Sequence, residues 1–324
     1  MNSTRSSRSG KFVICNLINA NRLSDFNNVD YTSTKIIVNH VIFCFINAIL
    51  SVSTIGLNSI TAMACWRSTQ LRKKLAHFMI MVLSLNDLAV GLVCSPFYVA
   101  ILAREISLQK SSCFLNGLQS FVLLLILGCS FKTLFVMNFE RYLAIVHPIF
   151  HRTKVTKCRL VKCLIALWLV AGLLVSLMLY RPVVLKRFLI VEVLLFIAAL
   201  VFIYVKIYFV SRRSSENFSR TKRTACASSQ GQDISQSERE AHLRNLRLVK
   251  SCFIVVICFC ICFLPTSLLN GISFPNDVIT YMALIWADTL LLLNSTLNSL
   301  IFFWRNKLLR KEAGRILKQV FCKT

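Results

Sequence analysis

Phe114–Phe139 reads FLNGLQSFVLLLILGCSFKTLFVMNF and holds one charged residue, Lys132. Directly behind it come Glu140-Arg141-Tyr142, an acid and a base side by side. A helix rises about 1.5 Å per residue, so roughly 20 predominantly apolar residues cross some 30 Å of hydrocarbon. The stretch is long enough to do so. Lipid offers the backbone no hydrogen-bond partners, so it is expected to be a helix. With its first residue at 113, it is one of seven such runs; the others lie near 36–64, 76–101, 163–180, 188–210, 251–271 and 279–304. Composition agrees. The 324 residues are 56% hydrophobic and 16% charged, where soluble domains carry about a quarter charged. Mean hydropathy is +0.65. The expected fold class is all-α: a seven-transmembrane helix bundle with a short amphipathic cytoplasmic eighth helix.

A net charge of +25 would suggest nucleic acid in a soluble chain. Location argues otherwise. Of 38 Lys and Arg, 27 follow runs one, three, five and seven or sit at their edges. That asymmetry places the N-terminus outside and the C-terminus in the cytoplasm of a multi-pass plasma-membrane protein. The basic charge then labels topology and meets anionic membrane lipids, and no nucleic-acid partner is expected.

Residues 1–35 read as an extracellular tail, 36–304 as the bundle, and 305–324 as an amphipathic helix with a C-terminal tail. Phe12–Cys15 is too short an apolar core for a signal peptide, so the first run is expected to serve as its own insertion signal. Asn2-Ser3-Thr4 is a glycosylation acceptor on the outer side. Residues 211–250 are rich in Ser, Arg, Lys and Gln, and about 212–243 is expected to be disordered. The link Arg181–Arg187 is too short to fold into a lid. After run seven, Leu308, Leu309, Ala313, Ile316, Leu317, Val320 and Phe321 recur about every four residues among Lys and Arg. That pattern fits a helix lying on the inner membrane surface. Cys322 at its end is a palmitoylation candidate. Most of the fourteen Cys lie inside the apolar runs. Cys15 and Cys113 fall on the outer, oxidising side and are the pair available for a disulfide there.

Polar residues inside hydrocarbon are costly, so each marks a functional site by default. Run one carries Asn58, run two Asp87, run three Ser130, and run seven Asn294, Ser295 and Asn298. Asp87 with Ser130, Asn294, Ser295 and Asn298 would make an oxygen cage for sodium. The same residues would equally serve as interhelical hydrogen-bond glue. Lys132 and Glu192 are one base and one acid deep in runs three and five. Mutual neutralisation is the favoured reading, and Glu192 acting on a ligand is the other.

In this order the residues resemble the rhodopsin-like class of G-protein-coupled receptors over roughly 36–321. Asn58 matches that family's first-helix Asn, and Leu83–Leu88 its second-helix motif. Glu140-Arg141-Tyr142 resembles the acid-Arg-aromatic switch. Trp168 matches the fourth-helix Trp, Tyr204–Ile207 the inner end of helix five, Cys262–Pro265 the sixth-helix kink motif, and Asn298–Phe302 the seventh-helix motif. The resemblance implies a receptor that binds an extracellular ligand and activates a heterotrimeric G protein, with arrestin and receptor kinases as further partners. Arg141 is then held by Glu140 in the closed bundle and freed when helix six swings at Pro265. Asp87 and its neighbours fall on the family's sodium pocket, sodium being an allosteric ion and the only expected cofactor.

Departures from the family are equally specific. Phe263 stands where Trp is usual, Ser299 for Pro, Phe302 for Tyr, and Phe196 where helix five usually has Pro. Asn245 stands where an acid often clamps the Arg, and Arg181–Arg187 has no Cys for an outer bridge. The short loop, missing bridge and missing Pro are similar to the melanocortin, adenosine, lysolipid and cannabinoid branch. Position within the resemblance assigns the ligand pocket to Gln119, Leu123, Leu127, Glu192, Thr266, Ser267, Asn270, Leu284, Asp288 and Leu291. The ligand class left open is a small molecule, lipid or short peptide. Leu123 replaces the Asp of amine receptors, while Asp288 is an acid that either meets a cationic ligand or simply hydrates. A retinal-bearing opsin needs a Lys in run seven, and Thr280–Trp304 has none. No catalytic constellation suggests an enzyme. A seven-helix transporter or channel is the alternative, disfavoured by the lack of internal repeats.

Overall fold

Long apolar runs with few helix breakers fold as the hydrocarbon constraint demands. The computed structural model describes residues 32–108, 112–177, 182–224, 253–269 and 278–321. Asn2, Cys15, Asn245, Asn270 and Cys322 lie outside the described residues, as does the side chain of Cys113. In chain order the helices are α1 (Thr34–Arg67), α2 (Leu75–Leu108), α3 (Cys113–Val146), α4 (Lys157–Leu177), α5 (Pro182–Thr224), α6 (Phe253–Leu269), α7 (Val278–Arg305) and α8 (Lys307–Phe321). Six of the first seven are long and apolar enough to cross a membrane, and α6 is a shorter apolar helix. Two short helices, Thr69–Arg72 and Pro148–Lys154, lie in the links after α1 and α3.

Three features differ from the sequence expectation: both ends of α5 and the buried face of α8. The link expected at Arg181–Arg187 is mostly helix, because Pro182 occupies the first turn, where a missing N–H costs nothing. At its other end α5 runs on to Thr224, thirteen residues into the segment expected to be disordered from about 212. Between Val183 and Thr224 there is no Gly or Pro to stop it. The apolar stripe of α8 does not all turn to lipid. Leu309, Ala313 and Ile316 are buried against the bundle beside Ala64 and Cys65 of α1, while Leu317 is exposed.

Two hydrophobic clusters fill the bundle. At the Glu140 end, Met79, Leu83, Leu134, Met137, Leu200 and Phe302 bury together. At the opposite end, Phe43, Val90, Leu123, Leu127, Ile285 and Leu291 do the same. Aromatic rings join α3, α5 and α6 between them: Phe131 lies 4.2 Å from Phe196 and 5.3 Å from Phe259, centroid to centroid. Phe196 therefore fills core volume, and α5 is continuous through it.

At mid-bundle α2 widens into a π turn over Val90–Cys94. A wide turn loosens the backbone ladder, and side chains from neighbouring helices catch its carbonyls. Ser51 Oγ donates to the Gly91 carbonyl at 2.9 Å, and Gln119 Nε2 to that of Cys94 at 3.2 Å. Gly91 also lets α1 come close. A Cβ there would sit 3.0 Å from Ile55 Cγ1, 3.1 Å from Thr54 Cγ2 and 3.2 Å from the Ile55 backbone nitrogen. Since backbone cannot step aside cheaply, Gly91→Ala should cost about 1–3 kcal/mol by overpacking. It should lower the thermal midpoint of the purified protein, whereas Gly56→Ala, with nothing within 4 Å of its Cβ, should change it little.

Candidate functional site

Near the end of α3, the Glu140 carboxylate is 1% exposed and has a basic side chain at each oxygen. Arg141 Nη2 approaches Oε2 at 2.6 Å, off the hydrogen-bond axis and so as an ion contact. His151 Nε2, from the short helix Pro148–Lys154, lies 2.7 Å from Oε1. His151 had no place in the motif. Only the fold of the link after α3 brings it back eleven residues later. Tyr142 turns the other way, against Ile203 and Ile207 of α5 and edge-on to His147. Tyr204 donates its hydroxyl to Asn138 Oδ1 at 2.5 Å, tying α5 to α3 one turn above Arg141. Phe302, with no hydroxyl to offer, is buried in the adjoining cluster.

Asp87 is fully buried on α2 and accepts from Asn298 Nδ2 at 2.9 Å. Five buried oxygens on α2, α3 and α7 lack a well-formed hydrogen bond among the described residues, with Ser295 close enough to act on the Asp87 carboxylate. They are Asp87 Oδ1, Ser130 Oγ, Asn294 Oδ1, Ser295 Oγ and Asn298 Oδ1. Asn58 stands beside them but is already used: its Oδ1 accepts from Ser299 Oγ at 2.5 Å, and its Nδ2 donates to the Ser295 carbonyl at 3.2 Å. A network built only as glue would leave few such oxygens orphaned.

Phe263 stacks on Phe259 at 3.9 Å and packs against both hydrophobic clusters. Two residues on, Pro265 lies within α6, where it has no N–H to give the carbonyl of Ile261. Of the pocket candidates, Leu123, Leu127 and Leu291 are buried in one cluster, with Leu284 against it. Gln119 holds the π turn through its amide nitrogen and leaves Oε1 buried and unpartnered. Thr266, Ser267 and Asp288 are half-buried. Glu192 is not turned to a ligand alone: Lys132 Nζ of α3 sits directly on its Oε1. The same ammonium lies 5.1 Å from the centroid of Phe131.

Two groupings escaped sequence reasoning. One is a polar seam between α1 and α7. His40 meets Tyr281 at 3.0 Å, Asn47 donates to Thr289 at 3.0 Å, Thr54 meets Thr296 at 2.5 Å, and Thr61 donates to Ser299 at 3.4 Å. The α1 members recur every seven residues, a period that could have been read from the first run. The other is a buried acid at the end opposite Glu140: Glu105 of α2, with His40, Asn116 and Tyr281 around it.

Residues 57–302, most of the chain, match the family described as 7 transmembrane receptor (rhodopsin family). The chain belongs to the rhodopsin family of seven-transmembrane receptors. Curated relatives agree across three quarters or more of their lengths. The human (Homo sapiens) 5-hydroxytryptamine receptor 4 is 23% identical, covering 84% of this chain and 78% of its own. The chicken (Gallus gallus) adenosine receptor A2b is 24% identical, covering 87% and 90%. The zebrafish (Danio rerio) sphingosine 1-phosphate receptor 1 is 24% identical, covering 82% and 75%. The protein is thus a G-protein-coupled receptor and a multi-pass membrane protein.

The ion pair within the receptor's spans gives a direct test. Breaking a buried pair strands one charge, at a cost of roughly 3–5 kcal/mol. Lys132→Leu and Glu192→Gln should each lower the receptor's thermal midpoint, and the double variant should recover part of the loss. Strictly additive losses would show that the two side chains act separately.

Proposed function

We propose that this receptor stands in the plasma membrane with its N-terminus outside, binds an extracellular ligand within the bundle, and activates a heterotrimeric G protein. The single observation that carries this is the Glu140–Arg141 contact, buried where α3 ends in the cytoplasmic basic zone. With Glu140 shared between Arg141 and His151, the guanidinium is held inward. A ligand that favours an open bundle shifts the population toward a state in which Arg141 faces the G protein. The Phe259–Phe263 stack and Pro265 give α6 the place to move. Arrestin, receptor kinases and membrane lipids would meet the same basic face.

The three relatives are named for an amine, a nucleoside and a lysolipid, so likeness alone selects no ligand. The residues favour an apolar body with a few polar contacts. Leu123, Leu127, Leu284 and Leu291 supply the wall, while Gln119 and Asp288 supply polar groups. An amine would find leucine at 123, where a carboxylate is wanted.

Sodium fits beside Asp87. The five oxygens are hard donors and Asp87 brings the charge, the donor set a small hard cation prefers. Asp87, Ser130, Asn294, Ser295 and Asn298 would hold it, and its charge would offset the carboxylate between α2 and α7.

Two experiments test these readings. In cells carrying a promiscuous G protein, the parent should signal to an effective ligand, and Arg141→Ala should abolish that signal at unchanged surface expression. Membrane current or substrate flux in its place would point to a channel or transporter. In the purified receptor at constant ionic strength, replacing potassium by sodium should raise the thermal midpoint. At ten times its Kd the ion contributes about 1.4 kcal/mol. Asp87→Asn should remove the sodium effect, and its persistence would mean the cage is only a hydrogen-bond network.

A further inference from the structure

At the Glu140 end of the bundle, two helices begin side by side. α2 starts at Leu75 with Lys73 and Lys74 just before it, and α4 starts at Lys157 with Arg159 in its first turn. One stitch joins the two starts. Lys157 Nζ donates to the Arg72 carbonyl at 2.5 Å, and the same ammonium lies 5.9 Å from the ring centroid of Phe78 on α2. A second stitch, from Arg159 Nη1 to the Lys154 carbonyl at 2.6 Å, holds the preceding link against α4.

The electrostatics of this corner are one-sided. A helix N-terminus carries about half a positive charge and favours an acid in the first turn. Neither α2 nor α4 has one there. Cations gather instead: Arg72, Lys73, Lys74, Lys154 and Arg159 are exposed, and Lys157 is half-buried. None of these has an ion pair among the described residues. The acids whose side chains are described at this end are taken elsewhere, Glu140 by Arg141 and His151 and Glu312 by Arg315. Two helix dipoles and a set of like charges therefore repel one another. An anion seated between the two helix starts relieves all of these repulsions at once.

The face of α4 below the corner indicates the source of that anion. Steps of four residues from Lys157 reach Val161, Ile165 and Leu169, all exposed. At that spacing they share one side of the helix. From Lys157 to Leu169 is about 18 Å of helix, close to the roughly 15 Å depth of one leaflet. The cations thus head an apolar track. A soluble acid would use the cations alone, whereas an anionic lipid uses both. Charge then selects among lipids. A serine lipid brings a single net charge to several cations. An inositol lipid with two phosphomonoesters brings about −4 to −5, at about −1.5 to −2 for each monoester and −1 for the diester.

We propose that the paired starts of α2 and α4 form a binding site for the headgroup of a polyphosphoinositide, with an acyl chain lying along Val161, Ile165 and Leu169. Its source in the inner leaflet rests on the orientation proposed above. Basic pockets on the cytoplasmic side of helix bundles suit such headgroups.

The full-length receptor in phosphatidylcholine nanodiscs tests the site at whichever face it lies. A phosphatidylinositol bisphosphate at about ten times its half-saturating amount should raise the thermal midpoint by about 2–4 °C. Phosphatidylserine at equal total charge should give less than half of that rise. Lys157→Gln with Arg159→Gln should remove most of it, as should Lys73→Gln with Lys74→Gln, which breaks neither stitch. Arg310→Gln with Lys311→Gln, which removes the same number of exposed cations from α8, should leave it intact. An equal rise with the serine lipid, or equal losses in all three variants, would reduce the corner to diffuse surface charge and overturn the proposal. If the Lys157/Arg159 variant does not fold, an undiminished rise in the Lys73/Lys74 variant overturns it alone. As large a rise with soluble inositol trisphosphate, and no phosphoinositide in the disc, would overturn the lipid source. Orientation has its own readout: antibody should reach a C-terminal tag only after cells are permeabilised. A tag reached in intact cells would overturn the inner-leaflet source together with the proposed orientation. A tag on the expected side with no selective rise would overturn the site alone.

Discussion

In hydrocarbon a carboxylate has no water to fall back on, and the bundle is arranged around four answers to that difficulty. Asp87 takes an amide hydrogen bond from Asn298, with the hydroxyl of Ser295 beside it. Glu105 is met by an imidazole, a phenol and an amide. Glu140 is divided between a guanidinium and an imidazole, and Glu192 is met by one ammonium. A partner removed in a medium of low dielectric leaves the full desolvation cost behind. The helices that carry these groups are therefore fixed relative to one another at several depths. Three of the four compensations reach across from another helix. Glu140 alone is met from its own helix and the link that follows, so it is the one whose release need not pull the bundle apart.

The α1–α7 seam shows how a motif departure is absorbed. Ser299 stands where the family has proline, and its hydroxyl is the group that both Asn58 and Thr61 meet. Proline there would have had neither the hydroxyl nor an N–H for the helix. As built, α7 is one unbroken helix from Val278 to Arg305, held in register against α1 by hydrogen bonds along its length. Interhelical hydrogen bonds in membranes average only about 0.6 kcal/mol each, so the seam specifies register more than it adds stability.

What the sequence disclosed, and what it withheld, divides along chain distance. The apolar runs were plain because span length is a local property. The Asp87 group and the Lys132–Glu192 pair were legible because an isolated polar residue in an apolar run is conspicuous by itself. His151 was not, since an imidazole in a basic loop looks solvated until the loop folds back on Glu140. Glu105 stood at the end of its run beside Arg104, where an acid reads as an interfacial anchor. Its partners His40 and Tyr281 lie 65 residues before it and 176 after it. Helix ends were misplaced where hydrophobicity was used as the ruler. The backbone at Ser211–Thr224 follows propensity rather than polarity, and the run simply continues.

Asn306 is the single residue between α7 and α8. Its side chain does two things at once: Oδ1 accepts from the Leu309 backbone N–H at 3.2 Å, and Nδ2 donates to His77 Nε2 at 2.8 Å. A joint one residue long has no slack. Any roll of α7 about its axis must be handed on as torque to α8, whose Leu309, Ala313 and Ile316 are set into the side of α1. Movement at the Glu140 end is thereby steered away from α1, α2 and α7, which Asn306 ties together. The opposite side, α5 and α6, is left as the part free to travel.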